Sequence, residues 1–272
     1  MSKFPLLFAI LLAFYVAQPV AAAANVQIQN DSSYINSVTG SYYVVGEVLN
    51  TGDVALQYVF VTATLKDSNG VVLSSLQGVA ESHYLQPGQK APFQIIETDK
   101  SKASRVATYT LAAEVHPASS PLQLNLAVLN TASSTNTLTG SLHVTGEVRN
   151  SGQSVSTYTE VVGTFYDAGG KVVFVGFTFT SPQDIPPGAT YSFDMIVNAA
   201  NQIPKISSWS LFAESQQYTS IPELPWQPVI IAAIVLSFTI MALRKNEGQG
   251  RQSVSPEGSP TVYAAESKGT RI

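Results

Sequence analysis

Three histidines are the residues of this chain whose ordinary pKa suits proton transfer near neutral pH. They are His83, His116 and His143. The first lies near a predicted turn, the second in a Pro-containing joint and the third on a predicted strand. No spacing rule brings them together, so we expect three separate surface or strand histidines and no catalytic centre.

Four glutamates stand at matching positions one hundred residues apart, Glu47 with Glu147 and Glu114 with Glu214. Two carboxylates that meet can act as acid and base, or can bind calcium through oxygen. Solvent-facing positions on β-strands explain the four residues more simply. We predict that all four lie on exposed strand faces.

Asp67 and Asp167 also match, and each begins a short turn-forming segment. The segments are Asp67-Ser-Asn-Gly70 and Asp167-Ala-Gly-Gly170. An Asp side chain at this position accepts hydrogen bonds from the following backbone, and glycine supplies positive φ. Calcium ligation is the alternative; we predict turns.

The remaining composition excludes several classes of protein. The chain has no cysteine, so it has no disulfide and no thiolate metal site. It also lacks a Gly-rich phosphate loop, a Gly-x-Ser-x-Gly elbow and a His-Glu-x-x-His helix. The net charge of −4 argues against nucleic-acid binding, which needs clustered Lys and Arg. We predict a protein that is not an enzyme and uses no metal or cofactor.

One sequence segment occurs twice in the chain. Thr39-Gly-Ser-Tyr-Tyr-Val-Val-Gly46-Glu-Val-Leu-Asn-Thr-Gly52 returns as Thr139-Gly-Ser-Leu-His-Val-Thr-Gly146-Glu-Val-Arg-Asn-Ser-Gly152. The register holds through the following residues, which indicates one structural unit present twice. The predicted units are residues 25–116 and 122–217, here called the first copy and the second copy, joined by a linker at 117–121.

Apolar and polar residues alternate along several segments of each copy, and this period of two predicts β-strands. Val59, Val61, Ala63 and Leu65 share one face of such a strand, and threonines occupy the other. Short strands follow one another at regular spacing, separated by Asp turns and Pro-Gly pairs, without an amphipathic helix of normal length. This pattern predicts an all-β chain of two tandem immunoglobulin-like antiparallel β-sandwiches.

The second copy carries the motifs of a known family. Gly146-Glu-Val-Arg-Asn-Ser-Gly152 precedes an apolar strand that ends in Phe165-Tyr166-Asp167, and Pro186-Pro-Gly188 follows before a Phe-containing strand. This order resembles the FxLYD family of extracytoplasmic β-sandwich domains, although the first copy reads Thr64-Leu65-Lys66-Asp67 at the naming motif. The resemblance implies a surface protein of a bacterium or an archaeon, with no catalytic residues to carry over.

The two ends of the chain predict export and anchoring. Residues 1–24 have the basic start, apolar middle and small residues of a signal peptide, with a retained membrane anchor as the alternative. A Pro-rich stalk at 218–228 precedes an apolar run at 229–243. Counted from Trp226, the run extends about 27 Å as a helix, close to a ~30 Å hydrocarbon core.

We therefore predict a single-pass transmembrane helix at 229–243, with the two sandwiches outside the cell membrane. Trp226 lies at the outer interface, and Arg244 and Lys245 lie at the cytoplasmic one. Residues 244–272 form a disordered cytoplasmic tail. The alternative is a sorting signal of the archaeal Pro-Glu-Phe kind, whose helix is removed and replaced by a lipid.

Two further features point to surface contacts. The strand Val172-Val-Phe-Val-Gly-Phe-Thr-Phe179 is apolar on both faces, which indicates either full burial or a contact site. We mark Phe174, Phe177 and Phe179 as candidate partner contacts. Asn30-Asp-Ser32 is a glycosylation sequon, so Asn30 is a candidate glycosylation site.

Two functions remain open on the sequence. One is a membrane-anchored binding or scaffolding protein whose sandwiches meet a protein, a glycan or a surface layer. The other is an accessory subunit of an integral membrane complex, with the sandwiches as an outer cap. Ala233 and Ser237 lie on one face of the predicted helix, where small side chains permit close helix packing.

Overall fold

The strands of the two copies match along the chain. The computed structural model describes residues 24–119 and 122–220. The first copy contains β1 (Val26–Ile35), β2 (Tyr42–Asn50), β3 (Leu56–Lys66), β4 (Val72–Val79), β5 (Tyr84–Leu85), β6 (Lys90–Glu97), the short helix α1 (Lys100–Ala103) and β7 (Thr108–Pro117). The second contains β8 (Gln123–Thr135), β9 (Leu142–Asn150), β10 (Glu160–Tyr166), β11 (Val172–Phe179), β12 (Thr190–Val197), a 3-10 turn (Ile203–Lys205), β13 (Ser208–Glu214) and β14 (Tyr218–Ser220). The prediction of an all-β chain is confirmed.

The first copy forms two antiparallel sheets. One has the order β1-β2-β6. In the other, β3 pairs with β4 and β5 along one edge and with β7 along the other edge. Both sheets contain a bulge, one in β1 between Gln29 and Ser32 and one in β4 at Leu73, opposite Leu65 and Lys66 of β3. The bulges let side chains near each strand end change the face to which they point.

The corresponding strands of the second copy belong to one continuous sheet with the order β11-β10-β13-β14-β8-β9-β12. The short strand β14 makes this continuity, because it pairs with β13 on one side and runs parallel to β8 on the other. Tyr218 lies opposite Gln123 and Ser220 lies opposite Leu126. β14 therefore includes the first three residues of the segment predicted as a stalk.

An asparagine closes the same loop in each copy. Asn50 donates from Nδ2 to the carbonyls of Val54 at 2.8 Å and Leu85 at 2.9 Å. Its Oδ1 accepts from the Gly52 backbone N–H at 2.9 Å. Asn150 makes the equivalent bonds in the second copy. Buried polar side chains need hydrogen-bond partners. These three hydrogen bonds explain why an asparagine occurs at this position of the repeated segment.

The predicted apolar face of β3 is confirmed. Val59, Val61, Ala63 and Leu65 are all buried, in a core that also contains Phe93. The ring of Phe93 lies against Gly46 so closely that a Cβ there would be 2.6 Å from its Cζ atom. Gly146 and Phe193 repeat this contact at 2.7 Å, so this glycine is required by packing.

Several predictions concern residues outside the described ranges. These are the signal peptide at 1–24, except for its last residue, the helix at 229–243, the tail at 244–272 and the interface residues Trp226, Arg244 and Lys245. Within residues 24–119 and 122–220, no helix has the length and apolar character needed to span a membrane.

Candidate functional site

The two copies belong to one compact unit, and an apolar contact joins them. Strand β11 of the second copy packs against β1 and β2 of the first. Tyr34 and Val45 from the first copy, and Val172 and Val175 from the second, are buried together in this contact. The ring of Tyr43 stacks on Tyr34 at a centroid distance of 5.0 Å. We call this contact, with the two carboxylates described next, the joint.

Glu47 is one of those carboxylates, and it is only 1% exposed. It accepts a hydrogen bond from the Tyr166 hydroxyl of the second copy. Its Oε2 accepts from Asn30 Nδ2 at 3.0 Å, and Lys90 Nζ lies 3.5 Å from the same oxygen. The prediction that Glu47 faces solvent is wrong, because the second copy covers this face of β2.

Glu214 is the other carboxylate, and it is also 1% exposed. It belongs to the second copy, and its partners belong to the first. Oε2 accepts from Ser82 Oγ at 3.0 Å, and Oε1 accepts from the His83 backbone N–H at 3.0 Å. His83 Nδ1 lies 2.7 Å from Oε1. The predicted solvent exposure of Glu214 is therefore wrong as well.

The joint shifts the proton affinity of the groups around it. The hydrogen bond to Glu214 raises the pKa of His83 above its ordinary value. Burial raises the pKa of Glu81 and of Glu160, and the nearby carboxylate of Glu214 acts in the same direction. Since three carboxyl groups and one imidazole share this region, the joint favours protonated forms relative to the unfolded chain.

Glu114 and Glu147, which match Glu214 and Glu47 in the repeat, do not enter the joint. Glu114 is exposed and lies 3.3 Å from His116. Glu147 is partly exposed, and its Oε2 accepts from Asn130 Nδ2 at 2.7 Å. His143 lies 2.9 Å from Asp194. The three histidines thus contact three different carboxylates and do not converge.

The predicted Asp turns are confirmed in both copies. Asp67 Oδ1 accepts from the backbone N–H groups of Asn69 at 2.9 Å and Val71 at 3.0 Å. The bond from Val71 is the main cause of a lowered Asp67 pKa. Asp167 makes the equivalent pair of bonds. Among the described residues, no three His, Asp or Glu side chains group closely enough to hold a metal ion.

The three candidate contact phenylalanines lie in different surroundings. Phe174 is partly buried against the core of its own copy, with its ring 5.6 Å from that of Phe165. Phe177 is 53% exposed and Phe179 is 38% exposed. The bulge between Phe165 and Tyr166 explains the change, because it turns Val172 toward the joint while Phe174 packs inside.

Phe179 borders an open groove of about 640 Å³ on the second copy. We call this the second-copy groove. Its lining comes from β8, β9, β12 and the end of β11, and consists of Asn130, Thr145, Gly146, Glu147, Phe179, Ser181, Ser192, Phe193 and Asp194. It combines carboxylate, amide and hydroxyl groups with one exposed aromatic ring.

Asn30, the candidate glycosylation site, lies at the edge of the joint. Its Nδ2 atom, which would carry a glycan, donates to the buried Glu47. Glycosylation at Asn30 therefore has to share an atom with the hydrogen-bond network of the joint.

Sequence reasoning missed both buried carboxylates and the second-copy groove. One signal was available. Tyr166 and Val175 stand where the first copy has Lys66 and Ser75, so part of the apolar character of this edge is specific to the second copy. Such a difference between repeats marks the edge that is covered, but it does not identify the surface that covers it.

Comparisons with known proteins add little to this geometry. No protein-family model matches the chain, and no curated protein matches it. Among solved structures, the crystal structure of the Amycolatopsis orientalis exo-chitosanase CsxA is similar at 13% identity and a TM-score of 0.25. A complex of a variant of that enzyme with PNP-beta-D-glucosamine gives 12% identity and the same TM-score. Each match covers 71% of this chain and 26% of the other, and a TM-score this low carries no argument.

Proposed function

We propose that this chain is a non-enzymatic, membrane-anchored extracytoplasmic protein that displays two immunoglobulin-like β-sandwiches for binding or scaffolding. The sandwiches resemble FxLYD domains, and the helix at 229–243 tethers them to the membrane with the tail inside the cell. The partner is a protein, a glycan or a surface layer.

The joint is the observation that supports this proposal most directly. Glu47 and Glu214 are buried, and each is bonded by residues of the opposite copy. A buried carboxylate that loses its partners is strongly destabilising, so separation of the two copies has a high free-energy cost. The pair therefore behaves as one rigid unit, as a display or spacing role requires.

The absence of native cysteine gives a direct test of orientation. Ser119→Cys places one thiol at an exposed position between the copies, and Ser259→Cys places one in the predicted tail. A membrane-impermeant maleimide added to intact cells is expected to label the first variant and to label the second only after lysis. The reverse pattern, or labelling of neither variant before lysis, contradicts the proposal.

An accessory subunit of an integral membrane complex is the second candidate, supported by Ala233 and Ser237 on the predicted helix. Mild detergent extraction followed by mass spectrometry separates the two functions. A lone protein, or one with peripheral surface partners, favours display. Stoichiometric co-purification of integral membrane proteins favours the accessory subunit.

A further inference from the structure

The second-copy groove occupies the position at which the first copy receives Tyr166. Glu47 on β2 matches Glu147 on β9, and Asn30 matches Asn130. Asn30 and Asn130 have the same left-handed backbone, with φ of 56° and 53°, and each donates from Nδ2 to its glutamate. The acceptor arrangement is therefore the same in both copies. In the first copy it accepts a hydroxyl group.

The surroundings of that acceptor differ between the copies. In the first copy the neighbouring Val45 is buried in the joint. In the second copy the lining has become more polar, because Thr145, Ser192 and Asp194 replace Val45, Pro92 and Gln94. All three replacements are exposed. The groove thus offers several acceptors and donors for hydroxyl groups beside Glu147.

Aromatic surface is added at the same place. Phe179 and Phe177 stand where the first copy has Val79 and Gln77. Both rings are exposed, and Phe179 lines the groove. An aromatic ring beside converging polar groups fits a ligand that has hydroxyl groups at its rim and an apolar face. A pyranose ring has this combination.

The charge of the groove limits the ligand further. Two of its nine lining residues, Glu147 and Asp194, are acidic and none is Lys or Arg. Arg149, two residues along β9 from Glu147, lies outside this lining. Acidic sugars and phosphates would place like charges together, so the groove disfavours an anionic ligand.

The contact made by Tyr166 also argues against another molecule of this protein as the occupant of the groove. A second chain would offer the edge of its first copy, where Lys66 and Ser75 replace Tyr166 and Val175. The receiving face has likewise lost Tyr34 and Val45, which are Ser134 and Thr145 in the second copy. Most of the apolar area that stabilises the joint is therefore missing from such a contact.

We propose that the second-copy groove binds a neutral glycan, with Glu147 and Asp194 accepting sugar hydroxyl groups and Phe179 stacking on a sugar ring. This proposal rests on the binding role proposed above and names the ligand class and its site.

The test uses the full-length chain in a detergent without sugar headgroups, titrated by calorimetry with cellohexaose, maltohexaose and mannohexaose. At least one of the three is expected to bind with a dissociation constant of about 1 mM or tighter. Glu147→Gln and Phe179→Ala are each expected to weaken that binding about tenfold, which is roughly 1.4 kcal/mol. Two first-copy controls are expected to bind as the parent does: Glu114→Gln, which changes an exposed glutamate outside the groove, and Val79→Ala, at the first-copy counterpart of Phe179.

Three results overturn the proposal. The first is that none of the three oligosaccharides binds. The second is that the Glu147→Gln and Phe179→Ala variants bind as tightly as the parent chain. The third is that the parent chain self-associates in analytical ultracentrifugation and that Glu147→Gln abolishes this association. The last result would make the groove a docking face for another molecule of this protein. Failure of glycan binding leaves the thiol-labelling result unchanged, so the site and the proposed display function fail independently.

Discussion

Tyr166 of the second copy donates a hydrogen bond to Glu47 of the first, across 119 residues of sequence. The acceptor is buried, and its remaining partners are Asn30 and Lys90. This bond therefore links the polar centre of the joint to the end of β10, the strand beside the edge strand β11 that packs on the first copy.

Tyr166→Phe removes this donor and keeps the ring. We expect a loss of about 1–3 kcal/mol in the free energy of unfolding, because a buried carboxylate loses a hydrogen bond. Urea denaturation followed by circular dichroism measures the change. Tyr158→Phe is the matched control, since its side chain is exposed and belongs to the same copy. Equal stability of the two variants would show that the bond contributes nothing to the joint.

Stability is expected to fall as the pH rises through the pKa of His83. That pKa is raised in the folded state by the bond to Glu214. Folded His83 therefore binds more protons than unfolded His83, and its stabilisation is complete below the ordinary pKa of about 6.5. The raised pKa values of Glu81 and Glu160 act in the same direction at lower pH.

The measurement is the free energy of unfolding between about pH 5.5 and pH 8.5, a range that brackets the ordinary histidine pKa. His83→Gln is expected to flatten the decline above about pH 6.5. His116→Gln, which alters an exposed ion pair with Glu114 and an edge-on ring contact with Phe60, is expected to leave this decline unchanged. A decline of the same steepness in the His83 variant would assign the pH dependence to other groups.

The phenylalanines of β11 are expected to respond differently to the same change. Phe174→Ser should lower stability by about 2–4 kcal/mol, since Phe174 packs on Phe165 inside its own copy. Phe177→Ser should change stability by less than about 0.5 kcal/mol, because its ring is exposed. Thermal unfolding of the two variants checks this. A stable Phe174→Ser protein that binds its partner weakly would instead make Phe174 a contact residue.

The Asp turns are expected to be independent of calcium. Asp167→Ala should cost about 1–2 kcal/mol, because the Gly169 and Lys171 backbone N–H groups lose their acceptor. Asp167→Asn should retain most of the stability, since an amide oxygen can accept the same bonds. The melting temperature should be equal in EDTA and in millimolar calcium. A clear rise with calcium in the parent, lost in Asp167→Asn, would assign ligation to this turn.

The local pattern of apolar and polar residues was sufficient to predict the strands. It was insufficient to predict which strand surfaces pack against each other. The buried face of β3 followed from alternation at Val59, Val61, Ala63 and Leu65. Alternation along β2 puts Glu47 and its buried neighbour Val48 on opposite faces. It could not reveal that a distant strand covers that face, because the period of a strand specifies sides and not neighbours.

The groove was hidden for a related reason. Asn130, Glu147, Phe179 and Asp194 come from four strands that are separated by up to 64 residues, and none belongs to a recognised motif. A comparison of the two repeats gives an indirect signal, because an exposed position that changes from Val79 to Phe179 points to a role other than packing. The register of β9 with β12 brings Glu147 and Asp194 to one surface, and the register of β8 with β9 adds Asn130.

The parallel pairing of β14 with β8 affects how the protein responds to force. The chain enters β8 from the first copy and leaves β14 toward the residues that follow Ser220. Tension between those two points pulls the strands in opposite directions along their length. The backbone bonds between them are then loaded in shear and have to rupture together, whereas an antiparallel hairpin pulled at its open end unzips bond by bond. The strand of three residues thus acts as a mechanical clamp on the second copy.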